Sequence, residues 1–290
     1  MTLTPPDVDD DAARPEHLDP ATFAFYRACL RALNEAGAEY LVGGAYAFAR
    51  YTGIERHTKD FDIFARRRDV DGILAVLERL GCRTEKTFPH WLAKAFNDKT
   101  GDFIDVIHSS GSGIALVDDE WFTHSVADEV LGVPVRLCPA EEIIWSKAFI
   151  MERERYDGND VAHLLRARGC ALDWDRLLRR FDGHWRVLLS HIVLFGFIYP
   201  AERAAIPARV EEELVRRFQA EARTTPPDDR TCQGTLISRA QYLVDIGPWG
   251  YRDARLEPGI KMTPADIAHW TRAIDADKDD EQAKDDEQAP

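Results

Sequence analysis

Asp60 and Asp62, two aspartates separated by one residue, have the type and spacing in this chain that most clearly indicate a chemistry. Alternate side chains of a β-strand share one face, so a strand here would hold both carboxylates together while Phe61 and Ile63 face a core. Two carboxylates at that separation repel each other unless a cation lies between them. Paired oxygen ligands of this kind suit Mg²⁺. Asp60 and Asp62 are therefore predicted to be metal ligands.

A glycine pair, Gly43-Gly44, precedes the two aspartates and follows the apolar run Tyr40-Leu41-Val42. The pattern predicts a strand, the glycines, a short helix and then the strand that carries the aspartates. Glycines at the start of a helix let a phosphate approach backbone N–H groups at the positive end of the helix dipole. A phosphate-binding turn beside metal-binding carboxylates indicates phosphoryl or nucleotidyl transfer. The alternative is an ordinary turn before an edge strand with solvent-facing acids.

The order of glycine pair, helix and acidic strand resembles the signature of the DNA polymerase β-like nucleotidyltransferase superfamily. Arg56 and Thr58 ahead of the acidic pair are similar to the branch of AbiEii-type toxins and antibiotic nucleotidyltransferases. The resemblance covers roughly residues 35 to 165. It implies a nucleotidyltransferase fold, two Mg²⁺ ions as cofactors and a nucleoside triphosphate (NTP) as substrate. It also implies that Gly43 and Gly44 contact the β- and γ-phosphates through backbone N–H groups.

The superfamily adds a third carboxylate on a neighbouring strand, and Asp105 in the segment FIDVI is similar to it. In a two-metal arrangement one ion would hold the triphosphate and the other would lower the pKa of the attacking hydroxyl. Asp105 would complete the second metal site and help to deprotonate the acceptor. Asp102 is the alternative for this role, because strand register is hard to fix from sequence.

A second cluster, in the segment SKAFIMERERYDGND, contains Lys147, Arg153 and Asp160. Lys147 lies four residues after Ile143 on a predicted helix and thus near its buried face, where a charge needs a phosphate or carboxylate partner. The AbiEii-type resemblance implies that Lys147 contacts the triphosphate, that Arg153 belongs to a basic nucleotide-binding segment, and that Asp160 is a structural or catalytic acid. The alternative is a lysine that extends to solvent within a surface salt-bridge network.

Three further residues lie near the acidic strands in sequence. Arg56 and Lys59 flank the Asp60 strand and are predicted to contact substrate phosphate, with ordinary solvated loop residues as the alternative. His108 follows the Asp105 strand and is an additional candidate. The chain has no Ser/His/Asp order, no metal-spaced Cys/His pairs and no G-x-G-x-x-G motif. The sequence therefore does not indicate a hydrolase, a zinc protein or a dinucleotide enzyme.

The elements that position these residues are predicted from apolar periodicity and from caps. Asp19 and Pro20 begin the first helix, which extends to about residue 34. Strands are then expected at 40–43, 60–65, 82–86, 91–97, 102–108 and 133–137, and helices at 44–52, 69–80 and 118–124. From Pro139 the pattern is helical, with helices at 139–153, 158–168, 173–181, 184–198, 207–222, 235–246 and 263–275. The irregular alternation predicts an α/β (α+β) fold with a mixed sheet and flanking helices, followed by a C-terminal helical domain.

These elements divide the chain into a disordered acidic tail (1–18), a nucleotidyltransferase catalytic domain (19–138), a helical domain (139–275) and a second disordered acidic tail (276–290). The net charge of −14 lies mainly at the two ends. Residues 1–20 hold six acids and one arginine, and residues 275–290 hold eight acids and two lysines, which leaves −3 for the remainder. A nearly neutral folded part does not favour an extended duplex DNA partner.

No apolar run approaches the roughly 20 residues that a membrane-spanning helix needs, so no membrane partner is expected. The five cysteines are scattered and odd in number, which favours reduced thiols in the cytoplasm. The sequence thus predicts a cytoplasmic, Mg²⁺-dependent nucleotidyltransferase that transfers an NMP from an NTP to an acceptor hydroxyl. RNA, a protein and a small molecule stay open as acceptors, with a toxin-like role as one option. The alternative is a catalytically silent nucleotidyltransferase fold that serves as a nucleotide sensor or interaction module.

Overall fold

The computed structural model describes residues 18–56 and 60–273. Lys59 and its neighbours His57 and Thr58 lie outside the described residues, as do the two predicted tails except for Leu18, which is buried. The described residues form two compact units. The first comprises the chain up to residue 87 with segments 92–108 and 117–139, and the second comprises segments 88–91 and 109–116 with the chain from residue 140 onward.

The first unit is built on a seven-stranded sheet. Its helices are α1 (Pro20–Glu35), α2 (Gly44–Thr52), α3 (Val70–Arg79) and α4 (Asp119–Thr123). The strands are β1 (Leu41–Val42), β2 (Asp60–Phe64), β3 (Arg83–Phe88), β4 (Leu92–Phe96), β5 (Phe103–Ile107), β6 (Val126–Val130) and β7 (Val133–Leu137). Their order across the sheet is β3-β4-β5-β2-β1-β7-β6. Strand β2 is parallel to β5 and antiparallel to β1, and β7 is parallel to β1, so the predicted mixed sheet is confirmed.

The core of this unit lies on one face of β2 and β5. Phe61 and Ile63 of β2 are fully buried, whereas Asp60 and Asp62 on the opposite face are half-buried. Helix α1 covers the apolar face, with the ring of Tyr26 5.0 Å from that of Phe61. This alternation leaves the face that carries the aspartates available for a site.

Strand β6 is an element that the sequence pattern did not predict. It forms a hairpin with β7 through Leu131 and Gly132, both of which have positive φ, as two-residue hairpin turns require. The strand reads VADEV and is mostly exposed, so it lacks the apolar alternation by which a half-buried strand is recognised.

The second unit is mainly helical. Its elements are α5 (Ala140–Ala148), α6 (Gly158–Arg168), α7 (Trp174–Phe181), α8 (Trp185–Ile198), α9 (Ala208–Glu221), β8 (Thr231–Cys232), α10 (Leu243–Ile246) and β9 (Arg252–Asp253), and residues 264–273 are also helical. Two predicted helices are shorter than expected. Helix α5 stops at Ala148 because the chain reverses, with Met151 and Tyr156 paired in an antiparallel bridge. The segment predicted as a helix at 235–246 is irregular before α10, since Ser238 instead hydrogen-bonds the Glu152 carboxylate at 2.7 Å.

Candidate active site

Four neighbouring strands bring the candidate residues of the first unit into one row. The parallel register of β2 and β5 pairs Asp62 with Asp105, and the antiparallel register of β5 and β4 pairs Asp105 with Lys94. On the other side of β2, the Gly43 amide donates to the Asp62 carbonyl oxygen at 3.0 Å. Residues directly opposite each other on paired strands share a face of the sheet. The row therefore places a lysine, two carboxylates and the glycine turn side by side.

Asp60, Asp62 and Asp105 form a compact cluster of carboxylates. One oxygen from each lies within 4.8 Å of the others, close enough for a single cation to contact all three. Asp60 and Asp62 are half-buried and Asp105 is buried. A set of three hard oxygen donors fits Mg²⁺, which prefers carboxylate oxygen and keeps positions for water and phosphate.

Lys94 is a residue of this site that sequence reasoning missed. Its ammonium lies 2.9 Å from Oδ1 of Asp105 and 4.1 Å from the centre of the Phe103 ring. Burial raises the pKa of Asp105, Lys94 lowers it and Asp60 raises it further, and the net result is a raised pKa. A lysine in an alternating strand gives no signal of its own, because only the pairing of β4 with β5 brings it to the carboxylate.

The two glycines have different roles in the structure. Gly44 has a φ of +52°, and a Cβ at this position would overlap the Asp62 carboxylate. A Cβ at Gly43 would overlap the Phe64 ring. The N–H of Gly43 is used in the bond to Asp62, so it extends the pairing of β1 with β2. Glycine is required at both positions because backbone and side chains approach too closely for any other residue.

The start of α2 provides backbone donors next to the carboxylates. The first intrahelical hydrogen bond is donated by Ala47 to the Gly43 carbonyl oxygen at 3.1 Å. The N–H groups of Gly44, Ala45 and Tyr46 therefore have no acceptor within the helix. They lie at the positive end of the helix dipole, where an anion is stabilised.

Three other residues of the first unit that were candidates from sequence are Asp102, Arg56 and His108. Asp102 precedes β5 and accepts hydrogen bonds from Thr22 at 2.9 Å and Thr100 at 2.6 Å, outside the three-carboxylate cluster. Arg56 is exposed and places its guanidinium 4.5 Å from the centre of the Phe48 ring. His108 is buried directly after β5.

In the second unit, Lys147 is held in a buried ion-pair cluster. Its ammonium lies 2.7 Å from Asp157 and 2.8 Å from Asp160, and Arg155 also pairs with Asp157 at 2.9 Å. Burial raises the pKa of Asp157, but Arg155 and Lys147 outweigh that effect and the pKa is lowered. Carboxylates thus already act as partners for the Lys147 charge. Arg153 is exposed on the turn that follows α5.

Comparison with known proteins gives matches only among solved structures. No protein-family model and no curated protein matches the chain. The solution structure of the antibiotic-resistance factor ANT(2'')-Ia is 20% identical with a TM-score of 0.42, over 60% of this chain and 98% of that one. The lincomycin-bound lincosamide antibiotic adenylyltransferase LnuA is 14% identical with a TM-score of 0.36, over 51% of this chain and 96% of that one.

A third solved structure, JHP933 from Helicobacter pylori, is 12% identical with a TM-score of 0.37, over 71% of this chain and 98% of that one. All three identities are below 25% and all three TM-scores are below 0.5.

Proposed function

We propose that this protein is an Mg²⁺-dependent nucleotidyltransferase that transfers an NMP from an NTP to an acceptor hydroxyl and releases pyrophosphate. The observation that carries the proposal is the cluster of Asp60, Asp62 and Asp105, with oxygens within 4.8 Å of one another beside the glycine-opened start of α2. Three carboxylates held this close repel one another, and a cation that contacts all three would offset that repulsion. A phosphate-binding helix start in direct contact with them is the second half of a nucleotidyl-transfer site.

The three carboxylates and the start of α2 have separate roles in this reaction. The N–H groups of Gly44, Ala45 and Tyr46 bind oxygens of the triphosphate tail. Asp60, Asp62 and Asp105 would hold Mg²⁺, which supplies charge neutralisation at the phosphates and acidifies the acceptor hydroxyl. As the acceptor oxygen bonds to the α-phosphorus, the bond to pyrophosphate breaks and Asp105 accepts the hydroxyl proton. Burial raises the pKa of Asp105, which makes its carboxylate a better proton acceptor.

The resemblance to AbiEii-type proteins supports roles for Lys147, Arg153 and Asp160, and position beside the acidic strand in sequence supports roles for Arg56 and Lys59. In the proposal, Arg56, Lys59, Lys147 and Arg153 contribute positive charge toward the NTP, and Asp160 orients Lys147. The acceptor is an RNA end, a protein side chain or a small molecule. Cytoplasmic location and a toxin-like role belong to the same proposal.

One observation favours the second candidate, a catalytically silent nucleotide sensor. The Lys94 ammonium lies against Asp105 and neutralises the carboxylate that would act as proton acceptor. A sensor of this kind would bind an NTP at the start of α2 without turning it over. Nucleotide binding without transfer would distinguish it from the enzyme.

The test is transfer of label from each of the four α-labelled NTPs, with Mg²⁺ or with a chelator, to total RNA, to protein or to a panel of hydroxylated small molecules. Wild-type protein should transfer label only with Mg²⁺, and Asp62→Asn should lower turnover by about 100-fold or more. Asp71→Asn is the matched control, because Asp71 is an exposed acid on α3 that pairs with Lys86 at 2.6 Å. Equal turnover in wild type and a folded Asp62→Asn variant would refute the proposal.

A further inference from the structure

Helices α8 and α9 are neighbours in the second unit, and both expose large apolar side chains. We call these side chains the α8–α9 patch, formed by Val193, Leu194, Phe197, Ile198, Val215 and Phe218. Phe197 is 83% exposed and Phe218 52% exposed. The two helices are antiparallel neighbours, because Arg186 near the start of α8 forms an ion pair with Glu221 at the end of α9. Val210 and Leu214, on the buried face of α9, complete the packing.

Helix α8 is apolar on nearly every side. Its sequence, WRVLLSHIVLFGFI, buries Leu188, Ile192 and Phe195 on one face and still presents large apolar side chains on the opposite face. A helix that is apolar all round is normally enclosed on all sides. In this chain the outward face of α8 has no covering element among the described residues, so it needs a partner.

We propose that the α8–α9 patch is the interface of a homodimer, in which the partner is a second copy of this chain. A fully exposed phenylalanine presents roughly 150–250 Å², so the six side chains together expose about 500 Å² of apolar surface. That is near the upper limit of the largest patch on a typical monomer. Homodimer interfaces are roughly two-thirds apolar, so two such patches imply a total interface of about 1,500 Å², the size of a stable and specific one.

Other occupants fit the patch less well. Residues 1–17 and 274–290 contain only Met1, Leu3, Val8 and Ile274 as large apolar side chains, too few to cover it. Helix α8 has 14 residues and is therefore about 21 Å long, shorter than the hydrocarbon core of a bilayer.

The experiment is sedimentation velocity of the full chain from about 1 to about 100 µM. The variants are Phe197→Glu and Phe218→Glu, and the control is Val126→Glu, at an exposed valine on β6. Wild type and the control should form a dimer, and each patch variant should weaken association by at least about 30-fold, as expected for an aromatic residue at the centre of an interface.

The substituted phenylalanines are solvent-exposed, so the variants should stay folded, which circular dichroism and thermal melting verify. A wild-type chain that stays monomeric throughout the concentration range would overturn the proposal. A dimer that neither folded patch variant weakens would overturn it as well, because the interface would then lie elsewhere. Binding of monomeric wild type, but not of Phe197→Glu, to lipid vesicles would identify a membrane surface instead.

Discussion

Asp62 contacts the glycine turn and also lies beside Asp105, so it connects the parts of the candidate site. Its carbonyl oxygen accepts from Gly43, its carboxylate lies against Gly44, and its neighbour in the sheet is Asp105. A change in any of these contacts moves the carboxylate relative to the start of α2. The addition of even one heavy atom next to this side chain should therefore change the geometry of the site.

Gly44→Ala is expected to abolish or strongly lower nucleotide transfer while leaving the fold intact. The new methyl group would overlap the Asp62 carboxylate, which has to leave the cluster, and the positive φ adds strain of about 1 kcal/mol. Gly53→Ala is the matched control, because Gly53 also has a positive φ of 72° but no atom within 4 Å of its added Cβ. Both variants should stay folded in urea unfolding, with the larger loss of stability in Gly44→Ala, and only Gly44→Ala should lose turnover. Equal turnover in the two variants would contradict the contact with Asp62.

At the scale of elements, α5 and the start of α6 form a charge cluster. Lys147 comes from α5, Asp160 from α6, and Asp157 precedes α6. The lysine and both aspartates are largely buried. A buried ion pair of this kind fixes the angle between its elements, and loss of one partner leaves an uncompensated charge inside the protein.

Lys147→Met is therefore expected to lower the free energy of unfolding by about 3 kcal/mol, because Asp157 and Asp160 would both lose the ammonium that they contact, although Asp157 would keep Arg155. Arg153→Ala, at an exposed position on the same segment, should change it by less than about 0.5 kcal/mol. Chemical unfolding of both variants beside wild type measures the difference. NTP affinity of the folded Lys147→Met variant separately tests the proposed triphosphate contact, which an unchanged affinity would exclude.

At the scale of the whole molecule, one buried carboxyl group links stability to pH. Glu142 on α5 is fully buried, with Arg180 at 3.2 Å and Arg176 at 3.5 Å. Burial raises the pKa of Glu142 to about 7, although Arg176 and Arg180 lower it, and Glu141 raises it further. The folded protein therefore holds this proton more tightly than the unfolded chain does.

This group contributes most to stability below its usual pKa of 4.5, and the contribution is lost as pH rises through about 7. Glu142→Gln keeps the shape of the protonated group and cannot titrate. The free energy of unfolding of wild type, relative to this variant, should fall between about pH 5 and pH 8. Urea unfolding across that range measures it. A difference that does not vary with pH would show that Glu142 is ionised throughout.

Within residues 18–56 and 60–273, no helix is long and apolar enough to cross a bilayer. Except for Leu18, the two predicted acidic tails lie outside those residues, so their disorder stays a prediction. The predicted domain division, cytoplasmic location and roles of the site residues likewise stay predictions.

The sequence by itself determined the features that depend on a few adjacent residues. The period of two in DFDIF separated the aspartates from Phe61 and Ile63, and Asp19-Pro20 fixed the start of α1. The glycine pair marked a close approach of the backbone. Such patterns are local, because side-chain direction in a strand and capping at a helix end are set within one or two turns of chain. The mixed α/β fold class followed from the same signals.

Only the tertiary structure decided which distant residues meet. Strand register between β2 and β5 brought Asp105, and not Asp102, beside Asp62, and the pairing of β4 with β5 added Lys94. Tertiary structure also decided that the Gly43 amide donates a hydrogen bond to Asp62 of the neighbouring strand, and that Lys147 has two carboxylate partners. The register between strands about 40 residues apart in sequence depends on how the two faces of the sheet pack against other elements. A shift of one residue would move every side chain of a strand to the opposite face. No window of local sequence contains that information.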